Sequence, residues 1–362
     1  MNETAKTAAS LGVGVIGCGE IAQLMHLPIL KELPGLHIAA LCDLSREVLD
    51  TLGDGYGVAA RYTDPAALLA DPHVHAVAIC TYDHAPLVAQ AIAAGKHVVV
   101  EMPLGFTPAE ALSLVDALAA SGLVGMVGYM KLYDPGYVAG LDRIRGIGRA
   151  KTVHVHDFAG RFDRYGQLYT QVRGTDVDPA KLAAVRDETN ARIDAALGPD
   201  HAGYRDLYLT LLMLGSHDLA VLRGAFGKAE VVHAQPVGPS HLLAVLELAD
   251  HVPAILEVAF GAQYEWWDEW MAVYGERDEV RIEFQNPYVR NASARVRLRH
   301  GADGEASETL VQAPPETAFR AQWQHFLHCV RSGEAPRTPL SGGLADLELA
   351  VSIIRAMPPR PA

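Results

Sequence analysis

Val13-Gly14-Val15-Ile16-Gly17-Cys18-Gly19-Glu20-Ile21-Ala22 is the stretch that decides the fold. A short apolar run ends in glycine, and a G-x-G-x-x-A motif leads from it into a helical stretch from Glu20 to about His26. In a strand–turn–helix unit the first glycine permits the tight turn and the second lets the backbone approach a pyrophosphate. The small third residue allows close helix–strand packing, and the helix N-terminus offers N–H donors to phosphate. Such a motif is weak alone and gains force from the strand before it and the helix after it. Working outward, His37–Cys42, Val74–Cys80, Lys96–Glu101 and Val124–Gly128 are further apolar runs, separated by helical stretches Ser45–Leu52, Pro86–Ala94 and Pro108–Ala120. That alternation predicts βαβ units and a doubly wound parallel sheet buried on both faces. Asp43 closes the second run, 26 residues after Gly17. A carboxylate there accepts from the ribose hydroxyls of NAD and repels the 2′-phosphate of NADP. Arg46 nearby softens that preference, and helix N-capping is the other use Asp43 could have.

The texture changes near Gly128. Ala150–Phe158 alternates as a strand, Asp178–Leu197 is a charged helix, and Tyr204–Leu222 is a mostly apolar one. Short alternating runs follow at Glu230–Gln235, Leu242–Leu248, Ala254–Phe260, Trp270–Tyr274, Val280–Phe284 and Ala294–Leu298, with turn residues between them. They predict a large open, mainly antiparallel sheet. Helices Pro315–Arg331 and Gly343–Met357 close the chain. The expected architecture is α/β: a Rossmann-type doubly wound dinucleotide-binding domain over residues 11–128 followed by an α+β domain over 129–362.

A chain of 362 residues is long enough for two domains. With 30 Lys plus Arg against 43 Asp plus Glu, the net charge is −13. That balance argues against nucleic acid and anionic membrane surfaces as partners. Met1–Ser10 lacks an apolar core, so it does not read as a secretory signal, and no unbroken apolar run approaches membrane-spanning length. A cytoplasmic protein is expected. Cys18, Cys42, Cys80 and Cys329 have no metal-ligand spacing and are expected to be reduced, buried thiols.

The whole chain resembles the Gfo/Idh/MocA family of NAD(P)-dependent oxidoreductases. The resemblance rests on GVIGCGEIAQLMHLPIL (Gly14–Leu30), Cys42-Asp43, ICTYDH (Ile79–His84), AGKHVVVEMPLGFTPAEA (Ala94–Ala111), GYMKLYDPGY (Gly128–Tyr137), LGSHDLAVLRGAFG (Leu214–Gly227) and the closing FLHCVRSGEAPRTPLSGGLADLELA. It implies hydride transfer between a nicotinamide and a hydroxyl-bearing carbon of a sugar, cyclitol or related molecule. It also implies a second-domain sheet whose inner face covers the nicotinamide and whose outer face joins a homodimer or homotetramer. Gly17, Gly19, Glu20, Ile21, Asp43, Thr81, His84, Glu101 and Met102 are the expected cofactor-binding positions, with a cis peptide before Pro103.

Two departures from the family pattern are informative. The usual Glu-Lys-Pro is Glu101-Met102-Pro103, and the residue four before the family's catalytic histidine, usually Asp, is Met213. Methionine neither donates a proton nor carries charge. Either other residues supply the acid and base, or Met102 and Met213 line an apolar pocket for a less polar substrate, or catalysis has been lost.

His217, at the family's histidine position, is the first catalytic candidate. Asp218 falls on a different helix face and is expected to cap or pair elsewhere. Lys131 is the second candidate, if burial lowers its pKa. Tyr129 and Tyr133 share a face with it if that stretch is extended. Tyr129, Met213 and His156, the last on the inner sheet face, are candidate substrate contacts. His154-Val155-His156 with His217 or His201 is a remote metal possibility, and no metal is expected. Tyr264–Trp270 holds a dense aromatic cluster, read as strand packing or an interface. Arg161–Asp206 is where substrate-specific elements are expected. The alternatives to a net dehydrogenase are a glycoside-cleaving or eliminating enzyme that recycles NAD within each turnover, and a catalytically degenerate nucleotide-binding protein.

Overall fold

Val-Ala-Ile and Val-Val-Val runs have no polar face, so a strand made of them must be covered on both sides. β1 (Leu11–Ile16), β2 (Leu36–Cys42), β3 (Arg61–Tyr62), β4 (Ala76–Ile79), β5 (His97–Val100) and β6 (Gly125–Val127) form one sheet in the order β3-β2-β1-β4-β5-β6. Each pair is parallel. The structure, a computed structural model, describes residues 10–160, 167–260, 266–302 and 304–361. Residues 1–9, Arg161, Tyr264 and Glu265 therefore lie outside the described residues. The strand order reverses between β1 and β4, and the crevice beyond the strand carboxyl ends at such a reversal is where this architecture binds ligands. Gly17, Asp43, Cys80, Glu101 and Gly128 each follow a strand at that edge.

The second sheet contains β7 (Thr152–Ala159), β8 (Glu230–Gly238), β9 (His241–Leu248), β10 (Val252–Phe260), β11 (Trp267–Tyr274), β12 (Asp278–Phe284), β13 (Arg295–Ala302) and β14 (Glu305–Gln312). Their order is β14-β13-β12-β11-β7-β10-β9-β8, with β7 and β10 parallel and the other pairs antiparallel. The mainly antiparallel sheet is thus as the sequence predicts. β14 is the strand it did not reveal: Glu305–Gln312 is exposed almost throughout, so no apolar alternation marks it.

One face of this sheet packs against helices. The helical run Ala202–Phe226 has the length and composition of a membrane span, although charged residues interrupt it, and it is largely buried as a core helix. A Cβ on its Gly215 would lie 3.0 Å from Val258 of β10, which sits beside Asp157 in the sheet. Helix Pro135–Gly146 packs on β12, where a Cβ on Gly140 would meet Ile282 at 2.4 Å. Asp134 caps that helix through the Gly136 N–H and also accepts from the Ala294 N–H, joining it to the start of β13.

Helices Ser216–Phe226 and Leu340–Arg355 are locked by a bidentate pair, Arg223 Nε to Asp346 Oδ1 at 2.8 Å and Nη2 to Oδ2 at 2.9 Å. Asp346 is buried. Removing one partner of such a pair strands a charge, which costs more than removing both. Arg223→Leu should therefore lower unfolding free energy by about 3–5 kcal/mol in urea titration. The double variant Arg223→Leu/Asp346→Leu should recover most of that loss; an additive loss would show that the pair is not the source.

Candidate active site

Gly17 adopts φ +85°, and a Cβ there would strike the Cys80 backbone at 2.8 Å. A Cβ on Gly19 would meet nothing within 4 Å. One glycine is thus required by the protein itself, whereas the other leaves an open approach of the kind a pyrophosphate uses. Asp43 Oδ2 accepts from the Cys18 N–H at 2.7 Å and Oδ1 from the Ser45 N–H at 2.9 Å. Its carboxylate ties the glycine turn to the end of β2 and keeps lone pairs for a ribose. These features fit a dinucleotide.

The connection after β7 lies across this edge. Gln23 Nε2 donates to the Val172 carbonyl at 2.9 Å, and Val172 N–H donates back to Gln23 Oε1 at 2.8 Å. Gln171 Nε2 donates to Glu20 Oε2 at 2.9 Å. Asp176 caps the helix Arg46–Tyr56, accepting from Ser45 Oγ at 2.5 Å and from the Arg46 N–H at 2.7 Å. Farther along, Arg192 pairs with both Asp83 and Glu110. The described part of the stretch expected to carry substrate elements therefore grips the dinucleotide edge. Ile21 and Thr81 are half-buried there, and Thr81 Oγ1 donates to the Asp83 carbonyl at 3.0 Å.

Glu101 follows β5 and lies against Gly128, where a Cβ would approach Glu101 Oε1 to 2.9 Å. The Met102–Pro103 peptide is cis. His84 is a correction to the expected cofactor contact. Its ring is buried, with Nδ1 donating to the Pro103 carbonyl at 2.6 Å, so it supports the Met102–Pro103 turn from behind. Burial holds its pKa below the ordinary histidine value.

Beyond Gly128 the chain makes one turn of helix, Met130–Tyr133, rather than the extended stretch considered from sequence. Tyr129 packs edge-on against His217 with ring centroids 6.2 Å apart. Its hydroxyl lies against Asp346 and the residue is sealed in the core, so it is no substrate contact. Tyr133 is likewise internal, its hydroxyl paired with Thr338 Oγ1 at 2.9 Å.

His217 is half-buried. Its Nδ1 is buried without a partner among the described residues, leaving Nε2 as the nitrogen that can meet a ligand. Burial, reinforced by the Lys131 charge, pushes its pKa well below the ordinary value and so favours the neutral ring. Met213, one turn earlier, is 45% exposed.

Lys131 sits behind this site rather than in it. It is 2% exposed, paired with Glu269, and its Nζ lies 5.5 Å from the Phe284 ring. Burial alone would lower its pKa, the condition for a catalytic lysine. Glu269, Asp157 and Asp218 outweigh burial and move it upward. The carboxylate oxygens of Asp157, Asp218 and Glu269 converge within 4.8 Å of one another. Asp218 thus joins this cluster instead of capping elsewhere. Burial, then Glu269, raises the pKa of both Asp157 and Asp218.

His156 is the second clear correction. Side chains alternate along a strand, so Asp157 faces the helices and His156 the opposite side of the sheet. There His156 lies between Glu257 (3.2 Å) and Asp268 (3.3 Å) and stacks on Trp270 at 5.1 Å. It is therefore not on the inner face and does not approach His217. His154 packs on Tyr274, and His201 pairs with the Met357 carbonyl, so the considered histidine metal set is not assembled. Of the aromatic cluster, Trp267 turns inward with its Nε1 donating to Glu269 Oε2 at 3.1 Å, Trp270 turns outward, and Trp266 is exposed. Asp157 and Glu269 are the functional-region residues that sequence reasoning missed. The alternation that placed Asp157 opposite His156 was the available signal; nothing local distinguished Glu269 from its acidic neighbours.

The raised Asp218 pKa has a measurable sign. In the unfolded chain Asp218 ionises in the ordinary carboxylate range, whereas the folded protein keeps its proton to higher pH. Stability is therefore drained as pH climbs above that range. Asp218→Asn mimics the protonated form, so its urea midpoint relative to wild type should improve more at about pH 8 than at about pH 5. An equal effect at both would contradict the assignment.

Comparison with known proteins agrees with this geometry. The family model described as "Oxidoreductase family, NAD-binding Rossmann fold" matches residues 11–129. Inositol 2-dehydrogenase of Paracoccus denitrificans is 37% identical over 165 residues, 44% of this chain and 48% of that protein. The matched region thus spans about half the length of that relative. Inositol 2-dehydrogenase of Burkholderia multivorans is 33% identical over 376 residues, covering 94% of this chain and 97% of that protein. A 3-ketoreductase from Actinomadura kijaniata, solved with TDP-benzene and NADP, shares the fold at TM-score 0.72 and 20% identity, over 96% of this chain and 98% of that one. By its near-full-length relative, its glycine turn and its two sheets, the chain belongs to the Gfo/Idh/MocA oxidoreductase family.

Proposed function

We propose that this protein is an NAD-dependent oxidoreductase acting on a hydroxyl or carbonyl carbon of a sugar-like or cyclic polyol, with His217 as its acid and base. The observation carrying this reading is the placement of His217, half-buried and edge-on to Tyr129, the residue after the Gly128 that Glu101 lies against. Gly17, Gly19, Glu20, Ile21, Asp43, Thr81, Glu101 and Met102 would hold the dinucleotide. Bound NAD would supply the hydride acceptor, or in the reverse direction NADH the donor. A neutral imidazole takes the proton of the substrate hydroxyl at Nε2 as the carbon loses hydride and becomes a carbonyl, and returns it in reverse. Lys131 acts through its charge, keeping His217 unprotonated between turnovers. Met102 and Met213 stand where ammonium and carboxylate are usual, so the substrate meets thioether surface beside the reacting hydroxyl. Asp43 and Asp176 place two carboxylates at the adenosine-ribose end, where a 2′-phosphate would be repelled, which supports NAD over NADP.

A second reading keeps NAD and recycles it in place, as in glycoside cleavage or elimination. The connection laid across the glycine turn favours it, because release of the cofactor would require breaking the Gln23–Val172 and Asp176 contacts. The outer sheet face is the surface we assign to a cytoplasmic homodimer or homotetramer.

The test combines turnover and cofactor content. Purified protein is assayed against cyclitols and aldoses with and without NAD, and nicotinamide released on denaturation is quantified. Stoichiometric NADH formation that falls about 10²–10⁴-fold in His217→Ala is expected. Conversion without net NADH, on protein carrying tightly held nicotinamide, would select the recycling reading. Protein that neither carries nor binds nicotinamide would overturn both.

A further inference from the structure

We propose that Trp323 and His26 are positioning residues that fix the Glu101 carboxylate for the nicotinamide ribose. This rests on the reading above that the nicotinamide half lies beside Glu101. His26 closes the wide turn Ala22–His26 after the glycine motif, and Trp323 lies in the far C-terminal helix Ala318–Ser332; both are fully buried. Trp323 Nε1 donates to His26 Nδ1 at 3.0 Å. An indole has one N–H and no acceptor, so Nδ1 must present its lone pair. The single proton of the neutral ring is then on Nε2, which donates to Glu101 Oε1 at 2.8 Å. The tautomer is dictated rather than chosen.

The imidazole is held edge-on between Phe319 at 5.7 Å and Trp323 at 5.8 Å, so it cannot turn without breaking this packing. On its other side the carboxylate meets Gly128, which has no side chain to displace it. Glu101 remains 12% exposed, so it is held from behind with an edge reaching the crevice. Without the indole N–H the proton can move to Nδ1, and Nε2 would then set a lone pair against the carboxylate.

Trp323→Phe keeps an aromatic ring and deletes only the donor. Calorimetry with NADH and with ADP, which lacks the second ribose, reads the effect. NADH affinity should fall about five- to tenfold, as for one lost hydrogen bond, with ADP affinity unchanged within about twofold. In a Glu101→Gln background Trp323→Phe should add no further loss, since the residues act as one unit. Unchanged NADH affinity, equal weakening of both ligands, or a full loss persisting beside Glu101→Gln would overturn the proposal. Histidine ring nitrogen spectra of the wild-type protein test it without any variant: His26 must be the Nε2–H tautomer, and Nδ1–H would refute it. If wild-type protein binds NADH no more tightly than ADP, the nicotinamide-side reading falls and this proposal with it. If wild type prefers NADH and Trp323→Phe leaves NADH affinity unchanged, this proposal alone falls.

Discussion

A single buried ammonium joins the elements that make the candidate site. Lys131 comes from the turn after β6, Asp157 from β7, Asp218 from the His217 helix and Glu269 from β11. Each charge removed from water costs several kcal/mol, so this arrangement persists only because cation and carboxylates compensate one another. Burial and then Glu269 raise the pKa of both Asp157 and Asp218, which opposes a build-up of buried negative charge around the one lysine. The helix is thereby tied to the second sheet and to the end of the first. Its position sets where His217 stands, and the same positive charge adds to burial in opposing protonation of that ring.

The first sheet, apart from the two-residue edge strand β3, was legible because its physics is local. Runs such as Ala76–Ile79 have only buried neighbours, and the glycine motif states its own turn. The second sheet was legible in kind and order of magnitude, except at β14, whose exposed face carries no pattern. The site was read less well, for a specific reason. A strand's two faces differ by one residue, and His156 drew attention as the more reactive type while Asp157 held the inner position. Lys131 was found, but its charge state depends on three carboxylates brought in from other elements, which no spacing in the sequence reports.

Replacing lysine and aspartate by Met102 and Met213 looks like loss of catalysis when each position is considered alone. The folded arrangement offers a different account. The cation, Lys131, lies inside the protein, and its charge opposes protonation of His217. Under the proposed function His217 is the acid and base and Glu101 an acceptor for the cofactor, with Met102 and Met213 in place of the usual charged pair. On that proposal, a substrate hydroxyl meeting the imidazole needs no separate lysine to receive its proton.

The most direct test of this account is the protonation state of His217. Its ring resonances, assigned through His217→Gln, can be followed in wild-type protein from about pH 8 to about pH 5. The account predicts a titration midpoint displaced below the ordinary histidine value, because burial and the Lys131 charge both oppose its protonation. A titration midpoint near the ordinary histidine value of about 6.5 would contradict it, since the ring would then feel neither burial nor the buried cation.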